Sequence, residues 1–213
     1  MSDRFLIINA DDFGLCTETN DAVEHLFHEG RITSTTVMVP CEASGDAISR
    51  AKSNSKIKMG LHVTLNSDYS FIRWKSIAPS SDIPSILDDE GRFHHDIRLF
   101  YDNAKGQDVA TEINAQYNFI TAMDYRPTHA DSHCGTLYGL MGKPFIQEAY
   151  ELCVRYGLPF RLPKSKDFIV QRFNGNVPPE IEAAHANAVL YAEKLGIRLP
   201  DDMVTNPFSE KDI

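Results

Sequence analysis

The stretch that decides the fold class is RFLIINA at Arg4–Ala10, a short apolar run rich in β-branched residues. Such a run is typical of a strand that is buried on both faces of a parallel sheet. The apolar positions that follow it are spaced along one face of a helix: Ala22, Val23, Leu26 and Phe27. The chain is therefore predicted to begin with a strand followed by a helix.

The same alternation continues along the chain. Further strands are predicted at 32–39, 59–65, 128–133 and 159–162, and further helices at 44–51, 109–123, 144–156 and 180–195. Residues 66–95 show no apolar period and are rich in Ser, Pro, Asp and Gly, which predicts a long excursion, an extended loop of the kind that often carries functional residues. Strands that alternate with helices predict parallel pairing, in either an open doubly wound sheet or a barrel.

The composition is that of one ordinary globular domain over residues 1–213, with 42% hydrophobic and 24% charged residues. The formal net charge is -9, which predicts no attraction for nucleic acid. No apolar run approaches the length of a membrane span and no basic leader precedes the first strand, so we expect a cytoplasmic protein without membrane contact. The four cysteines have no paired spacing and are predicted to be free thiols.

Metal-capable side chains follow the predicted strands. Asp11 and Asp12 come directly after the first strand, His62 lies on the third, and His133 ends the fourth. Both parallel architectures place their sites at the carboxyl ends of strands. One carboxylate and two imidazoles suit a hydrolytic metal site, and the second carboxylate, Asp11, is then free to take a proton from water.

Structural interpretations of the same residues stay open on spacing alone. An Asp pair after a strand is often a solvated turn, and a histidine on a strand is often a hydrogen-bonded core residue. His129 lies four residues before His133, on the same face of the predicted strand, where it serves as a further ligand, as a partner of a ligand or as a buried residue. More specific information comes from the order of whole motifs.

Three segments resemble the motifs of the YdjC-like family of carbohydrate deacetylases, which includes chitooligosaccharide deacetylases. They are NADDFG at 9–14, GLHVTLN at 60–66 and PTHADSH at 127–133, and their order and spacing also agree with the family. The resemblance implies a distorted TIM-like βα barrel.

The resemblance also implies residue roles and a reaction. Asp12, His62 and His133 would bind a divalent ion, which is magnesium, zinc or another transition metal, and Asp11 would be the general base. Arg161, in the fifth predicted strand, resembles a family arginine and is predicted to bind substrate or orient the site. The expected reaction removes the acetyl group of a small N-acetylated saccharide or chitooligosaccharide.

The sequence departs from the family pattern in two places. Cys134 follows the third motif where many members have further histidines, which predicts different residues around the substrate-binding site. The late His-Pro-Gly segment of the family is absent from this sequence. Five to six strand–helix units are recognisable, fewer than the eight of a full barrel of about 250 residues. We therefore expect a C-terminally truncated barrel, incomplete at that end, whose open edge favours a homo-oligomer.

Two alternatives to an active deacetylase remain at this stage. One is a catalytically impaired sugar-binding or regulatory remnant of the family, and the other is a different metal-dependent hydrolase such as a phosphoesterase, because activated water also attacks phosphoryl centres. The absence of a basic cluster near the motifs disfavours the phosphoesterase.

Overall fold

A computed structural model describes residues 3–140 and 142–204 of the chain. Four parallel strands form its sheet: β1 (Asn9–Phe13), β2 (Ser34–Val37), β3 (Met59–Val63) and β4 (Ala130–Ser132). The helices are α1 (Thr17–His28), α2 (Ser44–Ser53), α3 (Ile97–Asn103), α4 (Gly106–Ala122), α5 (Ile146–Tyr156), α6 (Asp167–Arg172) and α7 (Pro179–Leu195).

The strand order distinguishes between the two parallel architectures. The strands are hydrogen-bonded in the order β1-β2-β3-β4, and Ala130 of β4 also forms a parallel bridge with Phe160. Neighbours in the sheet are therefore neighbours in the chain, as in a βα barrel, whereas a doubly wound sheet reverses its order at a switch point. This confirms the prediction of a distorted TIM-like barrel.

The first predicted strand is displaced along the chain. Residues 4–8 lie outside β1, and the side chains of Phe5, Leu6 and Ile7 are 89%, 78% and 70% exposed, so the prediction of a doubly buried strand at Arg4–Ala10 is wrong. The physical reason is the position of β1 at the end of the sheet: within the described ranges only β2 pairs with it. Association through this edge stays a prediction.

The excursion at residues 66–95 is fastened to helix α4. The buried carboxylate of Glu112 accepts hydrogen bonds from the backbone N–H groups of Ile77 and Ala78, and Asp108 accepts from the N–H and hydroxyl of Ser85. Because these acceptors satisfy backbone donors that the loop itself cannot pair, they hold the loop against the barrel. The excursion is an ordered part of the fold.

The remaining differences concern short elements. The helices α3 and α6, of seven and six residues, were not predicted because so few residues show no clear apolar period. The fifth predicted strand is reduced to the single bridge at Phe160. Among the described residues, no helix combines the length and the apolarity that crossing a membrane requires.

Candidate active site

A bulge in β1 presents the two aspartates. The parallel pairing of β1 with β2 shifts register between Ala10 and Phe13, and Asp12 has a positive φ of 66°. A bulge of this kind turns consecutive side chains in different directions, and positive φ at a non-glycine residue is a strained conformation that often marks functional sites. Asp11 and Asp12 therefore point to different partners.

Asp12 meets both motif histidines at one point. Its Oδ1 atom is 3.3 Å from His62 Nε2 and 3.4 Å from His133 Nδ1, and both imidazoles are buried. These distances are longer than a good N–H···O hydrogen bond. They agree with the distance of roughly 3.4 Å that separates two nitrogen or oxygen ligands of one tetrahedral zinc ion. Asp12 Oδ1 is also a buried acceptor that lacks a hydrogen-bond partner, so this donor set fits a divalent cation.

The sheet register supplies a partner for the other nitrogen of His62. His62 of β3 lies opposite Asp131 of β4, so both side chains project from the same face of the sheet. Asp131 Oδ1 is 2.5 Å from His62 Nδ1, and neither side chain is more than 2% exposed. The carboxylate fixes the imidazole so that its Nε2 faces Asp12, which is the orientation that carboxylate–histidine pairs give to histidine ligands of metals.

The charges of this pair perturb both groups. Burial opposes protonation of His62, but the carboxylates of Asp131 and Asp12 outweigh it and raise the pKa of His62 to about 9. Burial would likewise raise the pKa of Asp131, yet the charges on His62 and Arg161 lower it to about 2. The metal-free chain therefore holds a buried ion pair at neutral pH.

Two residues of the long excursion, Asp68 and Trp74, contact the His133 imidazole. Its Nε2 is 2.7 Å from Oδ1 of Asp68, and the indole of Trp74 contacts the ring edge to face, with centroids 5.8 Å apart. Burial disfavours the charged imidazole, but Asp12 and Asp68 raise the pKa of His133 well above its usual range. Burial would also raise the pKa of Asp12, but the two histidines hold it well below its usual range.

Asp11 is bound by Arg161 rather than by the histidines. The two guanidinium NH groups of Arg161 donate to the two carboxylate oxygens of Asp11, each at 2.8 Å, and a further ion pair of 2.7 Å joins Arg161 to Asp131. This bidentate geometry fixes the plane of the Asp11 carboxylate. The contacts favour orientation of the site as the role of Arg161, and substrate binding by it stays a prediction.

Sequence reasoning missed two residues of this site, Asp131 and Asp68. Asp131 lies inside the third motif, two residues before His133, and strand alternation could have flagged it as a neighbour of the site. Asp68 lies in the non-periodic excursion, where no pattern identifies it. His129 precedes β4 on the same face as Asp131 but contributes no atom to the cluster of Asp12, His62 and His133. Its Nδ1 is 2.8 Å from the Thr128 hydroxyl, and its ring packs where a side chain at Gly60 would clash.

Sequence comparisons show what the chain is similar to. The chain is 33% identical over 132 residues to a carbohydrate deacetylase of Clostridium beijerinckii and 32% identical over 162 residues to one of Enterococcus faecalis. It is 31% identical over 134 residues to a chitooligosaccharide deacetylase of Yersinia enterocolitica. These alignments cover 60%, 76% and 62% of the chain, but the chain spans only 49%, 59% and 49% of the relatives.

A solved structure and a family profile extend the agreement to the whole chain. A crystal structure from Enterococcus faecalis V583, named as that of a candidate cellobiose-phosphate cleavage protein, superposes with a TM-score of 0.77 and 27% identity. That alignment covers 100% of this chain and 72% of the other. The family described as YdjC-like protein matches residues 5–211. The chain therefore belongs to the YdjC-like protein family.

Proposed function

We propose that the site removes the acetyl group from an N-acetylated sugar, such as a chitooligosaccharide, by metal-dependent hydrolysis. The observation that carries this proposal is that His62 Nε2 and His133 Nδ1 both lie within 3.4 Å of the same carboxylate oxygen, Asp12 Oδ1. The names of the bacterial relatives supply the substrate class, although the chain spans only about half to two thirds of their length.

Asp12, His62 and His133 would hold the divalent cation. Two imidazoles and one carboxylate suit Zn²⁺, Mn²⁺ or Co²⁺, and Mg²⁺ fits only when waters complete its shell. When bound, such a cation supplies Lewis-acid polarisation of a carbonyl oxygen and lowers the pKa of water. Asp131 and Asp68 would orient the two imidazoles from behind.

Asp11 would act as the general base. Its carboxylate is adjacent to Asp12 in the chain, is 40% exposed, and is held in one plane by Arg161. A carboxylate has about four lone-pair directions. Arg161 occupies one on each oxygen and the Asn9 amide donates to Oδ1 at 2.7 Å, which leaves a direction on Oδ2 to take a proton from a water molecule. The water oxygen forms a bond to the acetamide carbonyl carbon and the C–N bond breaks, so that the acyl group leaves as acetate. The nitrogen leaves as an amine with the proton that Asp11 took from water.

The decisive experiment measures acetate released from N,N′-diacetylchitobiose by the metal-loaded chain. In Asp11→Asn we expect release to fall by about 10²- to 10⁴-fold, with one equivalent of metal retained, because a general base contributes on that order. Asp102→Asn, an exposed aspartate on α3, is the matched control and should keep full activity.

Two outcomes would reject parts of this proposal. Undiminished acetate release by Asp11→Asn would reject Asp11 as the base. Tight binding of the sugar without acetate release by the unmutated chain would instead identify a sugar-binding remnant, and release of phosphate from a sugar phosphate would identify a phosphoesterase.

A further inference from the structure

A second group of ligand atoms lies on the opposite edge of the His133 imidazole. Cys134 Sγ is 3.4 Å from His133 Nε2 and 3.5 Å from Asp68 Oδ1, and those two atoms are 2.7 Å from each other. The Asp12 cluster, by contrast, uses Nδ1 of the same ring. Thiol, imidazole and carboxylate thus converge at one point, where the proposed hydrolysis uses the contact between Asp68 and His133 but assigns no role to Cys134.

The distances suit a tetrahedral cation with one sulfur ligand. Bond lengths of about 2.0–2.1 Å to nitrogen or oxygen and about 2.3 Å to sulfur place sulfur roughly 3.6 Å from its neighbouring ligands. The two separations from Cys134 Sγ already agree with that value. Asp68 Oδ1 would have to move away from His133 Nε2 by roughly 0.7 Å, because nitrogen and oxygen ligands of one ion lie roughly 3.4 Å apart. The side chain of Asp68 is 25% exposed and lies on a loop, which allows this shift.

The local backbone brings the thiol to this position. Cys134, two residues after the end of β4, has a positive φ of 51°, and Gly135 follows with a φ of 67°. Positive φ at a non-glycine residue is uncommon, and here the resulting turn keeps the exposed thiol beside the imidazole of the preceding residue. The ligands therefore come from two adjacent residues and one loop residue.

We propose that Asp68, His133 and Cys134 form a second site for a thiophilic divalent cation such as Zn²⁺ or Cd²⁺, and that its occupation withdraws His133 from the Asp12 cluster. A neutral imidazole has one lone pair, so it binds one cation at a time. When the hydrogen of His133 is on Nε2, Asp68 accepts it and the lone pair on Nδ1 faces the Asp12 cluster. When the hydrogen is on Nδ1, the lone pair on Nε2 faces Cys134, whose thiol loses its proton to solvent when the cation binds.

The consequence is mutual exclusion between the two sites. A cation on Nε2 leaves only Asp12 and His62 for the first cluster, which weakens the hold on the proposed catalytic ion. Excess thiophilic metal therefore inhibits the chain, whereas a hard cation such as Mg²⁺ does not, because thiolate ligands select soft metals. Inhibition rests on the proposed function, but cation binding by Cys134 does not.

The direct test is titration of the metal-free chain with Cd²⁺, followed by the ultraviolet charge-transfer absorption of a cadmium thiolate. We expect the absorption in the unmutated chain, its loss in Cys134→Ser, and its retention in Cys16→Ser, which removes a half-buried thiol as the matched control. Asp68→Asn should raise the Cd²⁺ concentration at half-saturation by at least about tenfold. An absorption that survives unchanged in Cys134→Ser overturns the site.

A third variant separates this inference from the proposed function. In Asp12→Asn the competing cluster loses a ligand, so the thiolate absorption should saturate at a lower Cd²⁺ concentration than in the unmutated chain. An unchanged or higher concentration overturns mutual exclusion. If the chain releases no acetate at all, the proposed function fails while these spectra still decide the second site. If it does release acetate, excess Zn²⁺ should inhibit the unmutated chain and spare Cys134→Ser.

Discussion

His62 and Asp131 lie opposite each other on adjacent parallel strands, and His62 Nδ1 is 2.5 Å from Asp131 Oδ1. The pair is buried beneath the point where Asp12 meets His62 and His133. Strand register, rather than a flexible loop, therefore sets the direction of the imidazole toward the proposed cation. In the proposed metal site, Asp131 would therefore be a positioning residue for His62.

We predict that Asp131→Asn weakens metal binding by about 10- to 100-fold, the usual effect of losing a carboxylate behind a histidine ligand. The comparison should be made above pH 9, where proton competition at His62 is small, with a chelator fixing the free Zn²⁺ concentration. Asp102→Asn serves as the control. Equal affinity of Asp131→Asn and the control would remove Asp131 from the site.

The pH dependence of metal binding follows from the raised pKa of His62. Because that pKa is about 9 in the metal-free chain, a cation must displace a proton below pH 9. Apparent affinity should therefore rise by at least about tenfold per pH unit between pH 7 and 9, because His62 releases one proton and His133, whose pKa is also raised, adds to the slope. Above pH 9 the contribution of His62 ends, so the slope should decrease by about one proton.

The same variant tests this explanation. Asp131→Asn removes the carboxylate that raises the pKa of His62, so its affinity should rise less steeply with pH. A chelator-competition series with Zn²⁺ over this range provides the slopes. Identical slopes in the two proteins would show that His62 is not the group that the metal deprotonates.

We predict that Arg161→Lys lowers kcat for acetate release by roughly 10- to 100-fold while the bound metal is kept. A lysine cannot reproduce the bidentate contact with Asp11, so the proposed base loses its fixed orientation. Steady-state kinetics with N,N′-diacetylchitobiose separate the two roles, because loss of a substrate contact would raise KM at unchanged kcat. Arg172→Lys, on an exposed part of α6, is the control.

We predict that Glu112→Ala lowers the free energy of unfolding by about 2–4 kcal/mol, because it leaves the half-buried N–H group of Ile77 and the buried N–H group of Ala78 without acceptors. Urea denaturation measures the change, and Asn118→Ala on the exposed face of α4 should cost far less. A loss below about 0.5 kcal/mol, which is what an ordinary surface substitution costs, would contradict this anchoring role.

The sequence contained enough information for the fold class and for the residues of the first cluster. The alternation of apolar periods predicted parallel strands, and the rule on carboxyl ends predicted that Asp12, His62 and His133 would lie together. Composition and periodicity left barrel and open sheet unresolved, because strand order is a tertiary property. The strand order of the structure resolved that choice.

The contacts behind the ligands could not be predicted from one sequence. Asp131 pairs with His62 because β3 and β4 adopt one particular register. Asp68 reaches His133 from a loop in which the neighbouring Ser67 is hydrogen-bonded to residues 74, 93 and 94. Both depend on contacts between residues far apart in the chain. The exposure of Phe5–Ile7 was missed for the same reason, because burial of a strand depends on which neighbours it has.

Anomalous X-ray scattering from crystals of the chain soaked in a low concentration of Zn²⁺ tests the central claim most directly. We expect one strong peak within about 2.0–2.2 Å of Asp12 Oδ1, His62 Nε2 and His133 Nδ1, and its loss in Asp12→Asn. A peak that is absent from this position in the unmutated chain, or one that persists there in Asp12→Asn, would contradict the assignment of these residues as a metal site.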